Sequence, residues 1–168
     1  MDGNGKTPGI RQEPVSAKKP RAKLTDQDLK ASQSKFRWSL ALADREGKWA
    51  FGDEVFGEDW CSKILPKLKD FEGKTWAIIA NQTSGRSRGT RNHHITCSDL
   101  VKGARKRLKQ INMDDLGQLY SLRLEGKRRL FGVVQGHVFK LLWYDPRHEI
   151  CPSRRNWSSV SKYWFLYQ

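Results

Sequence analysis

The residues at 145–148 carry side chains that could act on a phosphodiester. His148 has an imidazole whose ordinary pKa suits general acid–base catalysis near neutrality, and the guanidinium of Arg147 could hold a phosphate. Asp145 could orient His148, or it could cap the turn that Pro146 begins. The alternative is that the Asp-Pro pair makes an ordinary surface turn and that Arg147 and His148 are only solvated.

Two further basic residues, Lys127 and Arg129, lie at the start of a predicted strand and could reach the same corner. In an antiparallel pair, the start of one strand lies beside the end of the next. With the connecting turn at residues 135–136, Arg129 would lie opposite Leu142. Lys127 would lie opposite Tyr144, next to the aspartate and histidine of the corner.

This set of side chains suits the cleavage of RNA by transesterification. The reaction needs a base for the 2′-hydroxyl, a positive charge for the phosphorane and an acid for the leaving 5′-oxygen, and His, Lys and Arg can supply all three without a metal. A binding protein that does no chemistry would also place basic residues at the rim of a sheet. The candidate catalytic residues are Arg129, Lys127, Asp145, Arg147 and His148.

Basic and histidine side chains in the middle of the chain could contact phosphates. The adjacent His93 and His94 point in different directions in most conformations, so the sequence does not favour a shared zinc ion. After Ser98, a predicted helix N-cap, basic residues fall mainly on one helix face and apolar residues on the other. A solvated charged face is the alternative for this helix. The candidate nucleic-acid-binding residues are Arg86, Arg88, Arg91, His93, His94, Lys102, Arg105, Lys106 and Lys109.

The composition favours a polyanionic partner. The 168 residues include 32 Lys and Arg against 18 Asp and Glu, which gives a net charge of +14. Such a chain is attracted to nucleic acid, although an acidic protein could also bind it. No apolar run approaches the ~18 residues of a membrane span, so no membrane partner is expected. Three widely spaced cysteines favour neither a disulfide framework nor a zinc cluster, and we expect a cytoplasmic protein without a cofactor.

The positive charge is unevenly distributed along the chain. Residues 86–129 carry twelve basic and four acidic side chains, a net charge of +8, whereas residues 36–85 carry seven and eight, a net charge of −1. Residues 1–35 carry eight basic and four acidic side chains and almost no large apolar residue, which predicts a disordered basic tail. A polyanion should therefore lie against the surface that residues 86–129 build.

Apolar spacing predicts the elements that position these side chains. Alternation predicts a strand at 36–42 with residues 49–51 as its hairpin partner. Helical spacing from Asp59 predicts a helix with a kink at Pro66, and we interpret residues 75–80 as a second short helix rather than a buried strand. A β-meander is predicted from three alternating runs separated by short turns, at residues 119–124, 129–134 and 138–144.

We therefore predict a single α+β domain over residues 36–168 behind the tail at 1–35. Its small antiparallel sheet should contain the C-terminal β-meander and should pack against two or three helices. The aromatic residues after 153 are expected to pack back on the domain, with a partner-binding tail as the alternative.

A basic helix, a meander with short turns, and an Asp and a His after the last strand follow one another between residues 98 and 148. This order resembles the RelE/HigB-type toxin superfamily. Arg129 matches the family's strand arginine, and Asp145 and His148 resemble its terminal Asp and His, with Pro146 and Arg147 inserted between them. The segments that carry the resemblance are LYSLRL at 119–124, RLFGV at 129–133 and LWYDPRH at 142–148.

The resemblance implies a small toxin ribonuclease that cuts messenger RNA, often on the ribosome, and that an acidic antitoxin protein neutralises. We therefore expect an RNA-binding endoribonuclease that works without a metal. Two other functions stay open, namely a non-catalytic nucleic-acid-binding module and an interaction domain for an acidic protein.

Overall fold

A computed structural model describes residues 26–83 and 91–152 of the chain. No helix in this described part is long and apolar enough to cross a membrane. The mixture of a sheet with separate helices confirms the predicted α+β class. The helices are α1 Asp26–Gln33, α2 Leu65–Glu72, α3 Trp76–Ala80 and α4 Lys102–Gln110, with a π-helical segment at Val55–Ile64 and a 3-10 turn at Cys97–Asp99. The strands are β1 Arg37–Ser39, β2 His93–Thr96, β3 Gln118–Arg123, β4 Arg129–Gln135 and β5 Val138–Asp145.

The five strands form one sheet in the order β1-β5-β4-β3-β2. Strands β3, β4 and β5 are the predicted meander, and β2 joins them antiparallel at one edge. The expectation of a wholly antiparallel sheet is corrected at the other edge, where β1 pairs with β5 in parallel. The predicted hairpin between 36–42 and 49–51 is wrong, because the 49–51 segment bonds to β5 instead: Tyr144 N donates to Trp49 O at 2.9 Å.

Each face of the sheet covers a separate apolar core, as strand alternation requires. On one face, Tyr120, Leu122 and Leu130 pack with α2 and α3. On the other face, Phe131 and Trp143 pack with α4 through Ala104 and Leu108. The apolar side of the predicted basic helix is therefore confirmed, and α4 lies over the face that also carries the odd-numbered side chains of β3 and β4.

The pairing of β4 with β5 differs from the predicted register in two ways. The two-residue turn lies at 136–137, one residue later than predicted, so Gln135 pairs with Val138. A register shift between Phe131 and Gly132 then leaves Leu142 as an extra residue on β5. Both changes move the β5 partner of a given β4 residue towards the C-terminus.

As a result, Arg129 lies opposite Asp145 and not opposite Leu142, and Leu130, not Lys127, lies opposite Tyr144. Glycine is required at position 132, because a Cβ there would lie 2.2 Å from the carbonyl oxygen of Lys140.

Several element boundaries are also corrected. The predicted tail extended to residue 35, but residues 26–33 form α1, which contacts α3. Ser98 does not cap α4, because Val101 occupies the N-cap position and its N–H donates to Ile150 O at 3.0 Å. Pro66 lies in the first turn of α2, where a missing N–H is tolerated. Residues 1–25, 84–90 and 153–168 lie outside the described residues, and with them the rest of the predicted tail and the aromatic C-terminal segment.

The segment between β1 and the π-helical turns is tied to the rest of the domain by the carboxylate of Asp44, which is 7% exposed. Arg107 donates to both of its oxygens, at 2.8 and 2.7 Å, and Trp143 Nε1 donates at 2.9 Å. Burial alone would raise the pKa of Asp44, but these hydrogen bonds and the Arg107 charge together hold it below its usual value. One carboxylate thus joins α4, β5 and the loop before residue 51.

Replacement of Asp44 by Asn should lower the free energy of unfolding at pH 7 by about 3 kcal/mol, because Arg107 then loses its anionic partner in a buried site. The pKa of Asp44 is lower in the folded protein than in the unfolded chain. Its contribution to the free energy of unfolding is therefore fully present above the unfolded pKa of about 4, and it is lost as the pH falls through the folded pKa. Urea unfolding at pH 7 and at pH 3 measures both effects.

The matched control is Asp70→Asn, which removes an exposed ion pair to Lys74 and should cost less than about 0.5 kcal/mol at pH 7. An equal loss in the two variants would contradict the role assigned to Asp44.

Candidate active site

Five charged or titratable side chains meet at one end of the sheet, and we call them the rim cluster. The register aligns Arg123 with Arg129, and Arg129 with Asp145, so that the three form one row across β3, β4 and β5. Alternation places this row on the α4 face of the sheet. The members of the rim cluster are His93, Arg123, Arg129, Asp145 and His148.

Asp145 caps the turn that follows β5. Its side chain is fully buried, its Oδ1 accepts the N–H of Arg147 at 3.2 Å and its Oδ2 accepts the N–H of Ile150 at 2.8 Å. Ile150 is itself fully buried in the core beneath α4. The geometry therefore matches the turn-capping alternative, and Asp145 acts as a positioning residue for the loop that carries His148.

His148 occupies the left-handed region of backbone conformation, with φ 63°. A residue with a Cβ is disfavoured there, so the turn that Asp145 caps must hold it. The imidazole is half-buried. Burial and the nearby charges of Arg129, Arg123 and His93 lower its pKa, while the carboxylate of Asp145 opposes this in part. The imidazole is therefore neutral near pH 7 and able to accept a proton.

Arg129 is a nearly buried cation, with 9% of its surface exposed. Its Nη1 donates to the carbonyl oxygens of Gly126 at 3.1 Å and Arg128 at 2.9 Å. Burial and the repulsion of Arg123 lower its pKa to about 10, so it keeps its charge at neutral pH. Among the described residues no carboxylate lies within 4.0 Å of this guanidinium. A buried cation without an ion pair favours the binding of an anion.

Two of the predicted catalytic residues lie outside this arrangement. Lys127 is exposed in the turn between β3 and β4, opposite no residue of β5. Arg147 is exposed in the turn after β5, where its backbone N–H, not its guanidinium, bonds to Asp145. Both side chains are exposed, and within residues 26–83 and 91–152 no side-chain hydrogen bond or ion pair holds either one in place.

The outer face of α4 carries four exposed cations, and these are the four that the helix periodicity predicts. The remaining basic residue of the helix, Arg107, turns inward to Asp44. The helix begins beside the loop of His148, because the N–H of Val101 bonds to Ile150. We call this surface the α4 basic face, and it consists of Lys102, Arg105, Lys106 and Lys109.

The predicted phosphate-contacting loop is partly a strand. Arg91 is exposed, but His93 and His94 lie on β2, and Arg86 and Arg88 lie outside the described residues. His94 packs edge-on against Tyr120 with ring centroids 4.9 Å apart, on the face opposite to α4. The described residues contain no group of three or more His, Cys, Asp or Glu side chains that could hold a metal ion.

Sequence reasoning missed Arg123 and the role of His93 within the rim cluster. The signal for Arg123 was present, because Leu119 and Arg123 share one face of an alternating strand. The signal for β2 was weak, since its four residues follow a polar loop. The side chain of Asn92 holds β2 in place: its Oδ1 accepts from Arg123 N at 2.8 Å and its Nδ2 donates to Ile79 O at 2.9 Å.

Comparisons with protein-family models, with curated proteins and with solved structures find no match for this chain. The resemblance to the RelE/HigB-type toxins therefore stays a prediction that depends on the residues quoted for it. The fold class and the geometry of the rim cluster stand on the structure alone.

Two substitutions of His148 separate its backbone strain from its chemistry. His148→Gly should leave the free energy of unfolding unchanged or raise it by up to about 1 kcal/mol, because glycine adopts a positive φ without steric cost. His148→Val removes the same imidazole but places a β-branched side chain in that conformation, and it should be clearly less stable. Urea unfolding compares the two variants, and equal stability would show that the left-handed turn is not under strain.

Proposed function

We propose that this protein is an RNA-binding endoribonuclease of toxin type that cleaves without a metal. The observation that supports the proposal most directly is His148, held neutral in a strained turn beside Arg129, a buried cation that has no carboxylate partner among the described residues. Strained backbone and shifted pKa values concentrate at functional sites. The positive surface next to this histidine suits a phosphodiester substrate.

In the proposed reaction, His148 removes the proton of the ribose 2′-hydroxyl. The 2′-oxygen attacks phosphorus as the bond to the 5′-oxygen breaks, which yields a 2′,3′-cyclic phosphate and a free 5′-hydroxyl. Arg129 and Arg123 stabilise the charge that develops on the phosphorane oxygens. His93, on β2 at the same end of the sheet, is the other imidazole of the rim cluster and is the group that we assign to the leaving 5′-oxygen.

The α4 basic face supports a second function, that of a non-catalytic nucleic-acid-binding module. Four exposed cations on one helix, with no acidic residue in that helix, are sufficient for phosphate binding and need no histidine. The same surface could bind an acidic protein, such as the antitoxin that the resemblance implies. The experiment must therefore separate cleavage from binding.

His148→Asn is the variant that tests cleavage. Asparagine tolerates a positive φ but cannot transfer a proton, so cleavage of a single-stranded RNA should fall about 10²–10⁴-fold while affinity stays within about threefold. Cleavage should persist in the presence of a chelator. If wild-type protein binds this RNA and never cuts it, the binding-module function replaces the enzyme.

Lys106→Ala is the variant that tests binding. The loss of one phosphate contact should reduce the slope of log affinity against log salt by about 0.7, while bound RNA is still cut. Lys69→Ala is the matched control, because Lys69 is an exposed lysine of α2 on the opposite face of the sheet. If both variants change the slope equally, the α4 basic face is not the RNA surface.

The pH dependence of cleavage tests the electrostatics of the rim cluster. Since the pKa of His148 is lowered and the proposed base is the neutral form, kcat/KM should rise with pH through a midpoint below 6.5. Arg123→Gln removes a cation that lowers this pKa, so the midpoint should move to higher pH. An unmoved midpoint in Arg123→Gln would exclude His148 as the base, and Lys69→Gln serves as the unshifted control.

A further inference from the structure

An open cleft of about 340 Å³ lies at the β2 edge of the sheet, and no step proposed above uses it. Its walls include the rings of Trp76, His94 and Tyr120 and the small side chains of Ala77 and Ala80. We call it the Tyr120 cleft. The small alanine side chains of α3 leave room beside aromatic rings, which is the shape that a planar ligand needs.

Tyr120 lines this cleft and carries a buried hydroxyl that has no partner in the described part of the chain. The residue is 4% exposed, and its hydroxyl has no hydrogen bond among the described residues. The neighbouring Trp76 differs, because its Nε1 already donates to the carbonyl oxygen of His137 at 2.7 Å. Buried polar groups are nearly always paired, so an unpaired hydroxyl beside a cleft indicates a group that a ligand completes.

His94 supplies a second polar edge. Its ring meets the ring of Tyr120 at an interplanar angle of 77°, and Trp76 meets Tyr120 at 84°. Partial burial and the charge of His93 lower the pKa of His94, so its imidazole is neutral near pH 7. A neutral imidazole offers one donor and one acceptor nitrogen, as the edge of a nucleobase does.

The cleft adjoins the rim cluster through a single strand. His93 lines the cleft and also belongs to the rim cluster, and β2, which carries both histidines, is the edge strand of the sheet. A chain that passes around this edge can therefore place a phosphate against the cations of one face and the attached base against the other face. Each nucleotide of a single-stranded nucleic acid carries both of these groups.

We propose that the Tyr120 cleft binds one unstacked base of a single-stranded RNA whose phosphate lies at the rim cluster. The base enters the cleft and packs against its aromatic walls, and the Tyr120 hydroxyl and the His94 imidazole bond to its edge. This inference rests on the proposed binding of RNA, but it does not require that the RNA is cut.

The test uses short RNA oligonucleotides made uncleavable by 2′-O-methylation, with one abasic position moved along the strand. Wild-type protein should bind the intact strand about tenfold more tightly than the strand whose abasic position falls at the cleft, since base–aromatic stacking contributes about that much. Tyr120→Phe and His94→Ala should reduce this preference at least threefold without a change in the salt slope.

Tyr144→Phe is the matched control. Among the described residues Tyr144 is a second buried tyrosine on this face of the sheet, but its hydroxyl already donates to Asp59 at 3.0 Å. Tyr144→Phe should therefore lower stability and leave the base preference unchanged. Tyr120→Phe, which removes an unpaired hydroxyl, should not lower the melting temperature of the free protein.

Each outcome of this test bears on a separate claim. Salt-dependent binding that is equal for every abasic strand overturns the cleft and leaves the RNA surface in place. A base preference that Tyr120→Phe and His94→Ala both retain also overturns the cleft. A preference that both variants lose, in a protein that never cuts unmodified RNA, supports the cleft and overturns the enzyme. No binding at low salt overturns both proposals.

Discussion

The buried carboxylate of Asp44 is the interaction on which the arrangement of this domain depends. It lies in a segment with no regular structure, yet it receives hydrogen bonds from α4 and from the indole of Trp143 on β5. The backbone N–H of Asp44 also donates to the carbonyl oxygen of Leu142 at 3.1 Å. Leu142 is the extra residue of β5. The segment around Asp44 therefore bonds to the carbonyl group at the bulge and also holds the basic helix α4.

The bulge connects this interaction to the rim cluster. An extra residue on one strand moves every later pair by one position, and here it brings Arg129 opposite Asp145. Without the shift, Arg129 would lie opposite Tyr144, one residue earlier on β5, and the buried Asp145 would lie opposite the partly exposed Arg128. The bulge thus sets which residue of β5 lies opposite Arg129, and it is the point at which Asp44, about a hundred residues earlier in the chain, bonds to β5.

The sequence predicts the elements whose pattern is set by neighbouring residues. It does not predict the features that depend on contacts between residues far apart in the chain. Alternation predicted the three meander strands, and helical spacing predicted the outward cations of α4, because both patterns follow from neighbours in the chain. The bulge at Leu142 has no local signal, since its freed carbonyl is satisfied by Asp44. The segment at 49–51 alternates like a strand but pairs through a single bond to Tyr144. At the site, the sequence predicted that Arg129, Asp145 and His148 lie near one another. The position of His93 could not be predicted, because it depends on β2, a strand that the sequence pattern did not indicate.

The electrostatics of the rim cluster couple substrate binding to the basicity of His148. In the free protein, burial is the largest cause of the lowered pKa of His148, and the charges of Arg129 and Arg123 lower it further. These cations are also the groups that would bind the phosphodiester in the proposed reaction. A bound phosphate places a negative charge between them and the imidazole, which offsets their field and raises the histidine pKa towards its ordinary value. In the proposed reaction, His148 would therefore become a stronger base when the substrate binds, and it would be unprotonated before that. The buried position of Arg129 makes this coupling large, because charges interact more strongly where water is excluded.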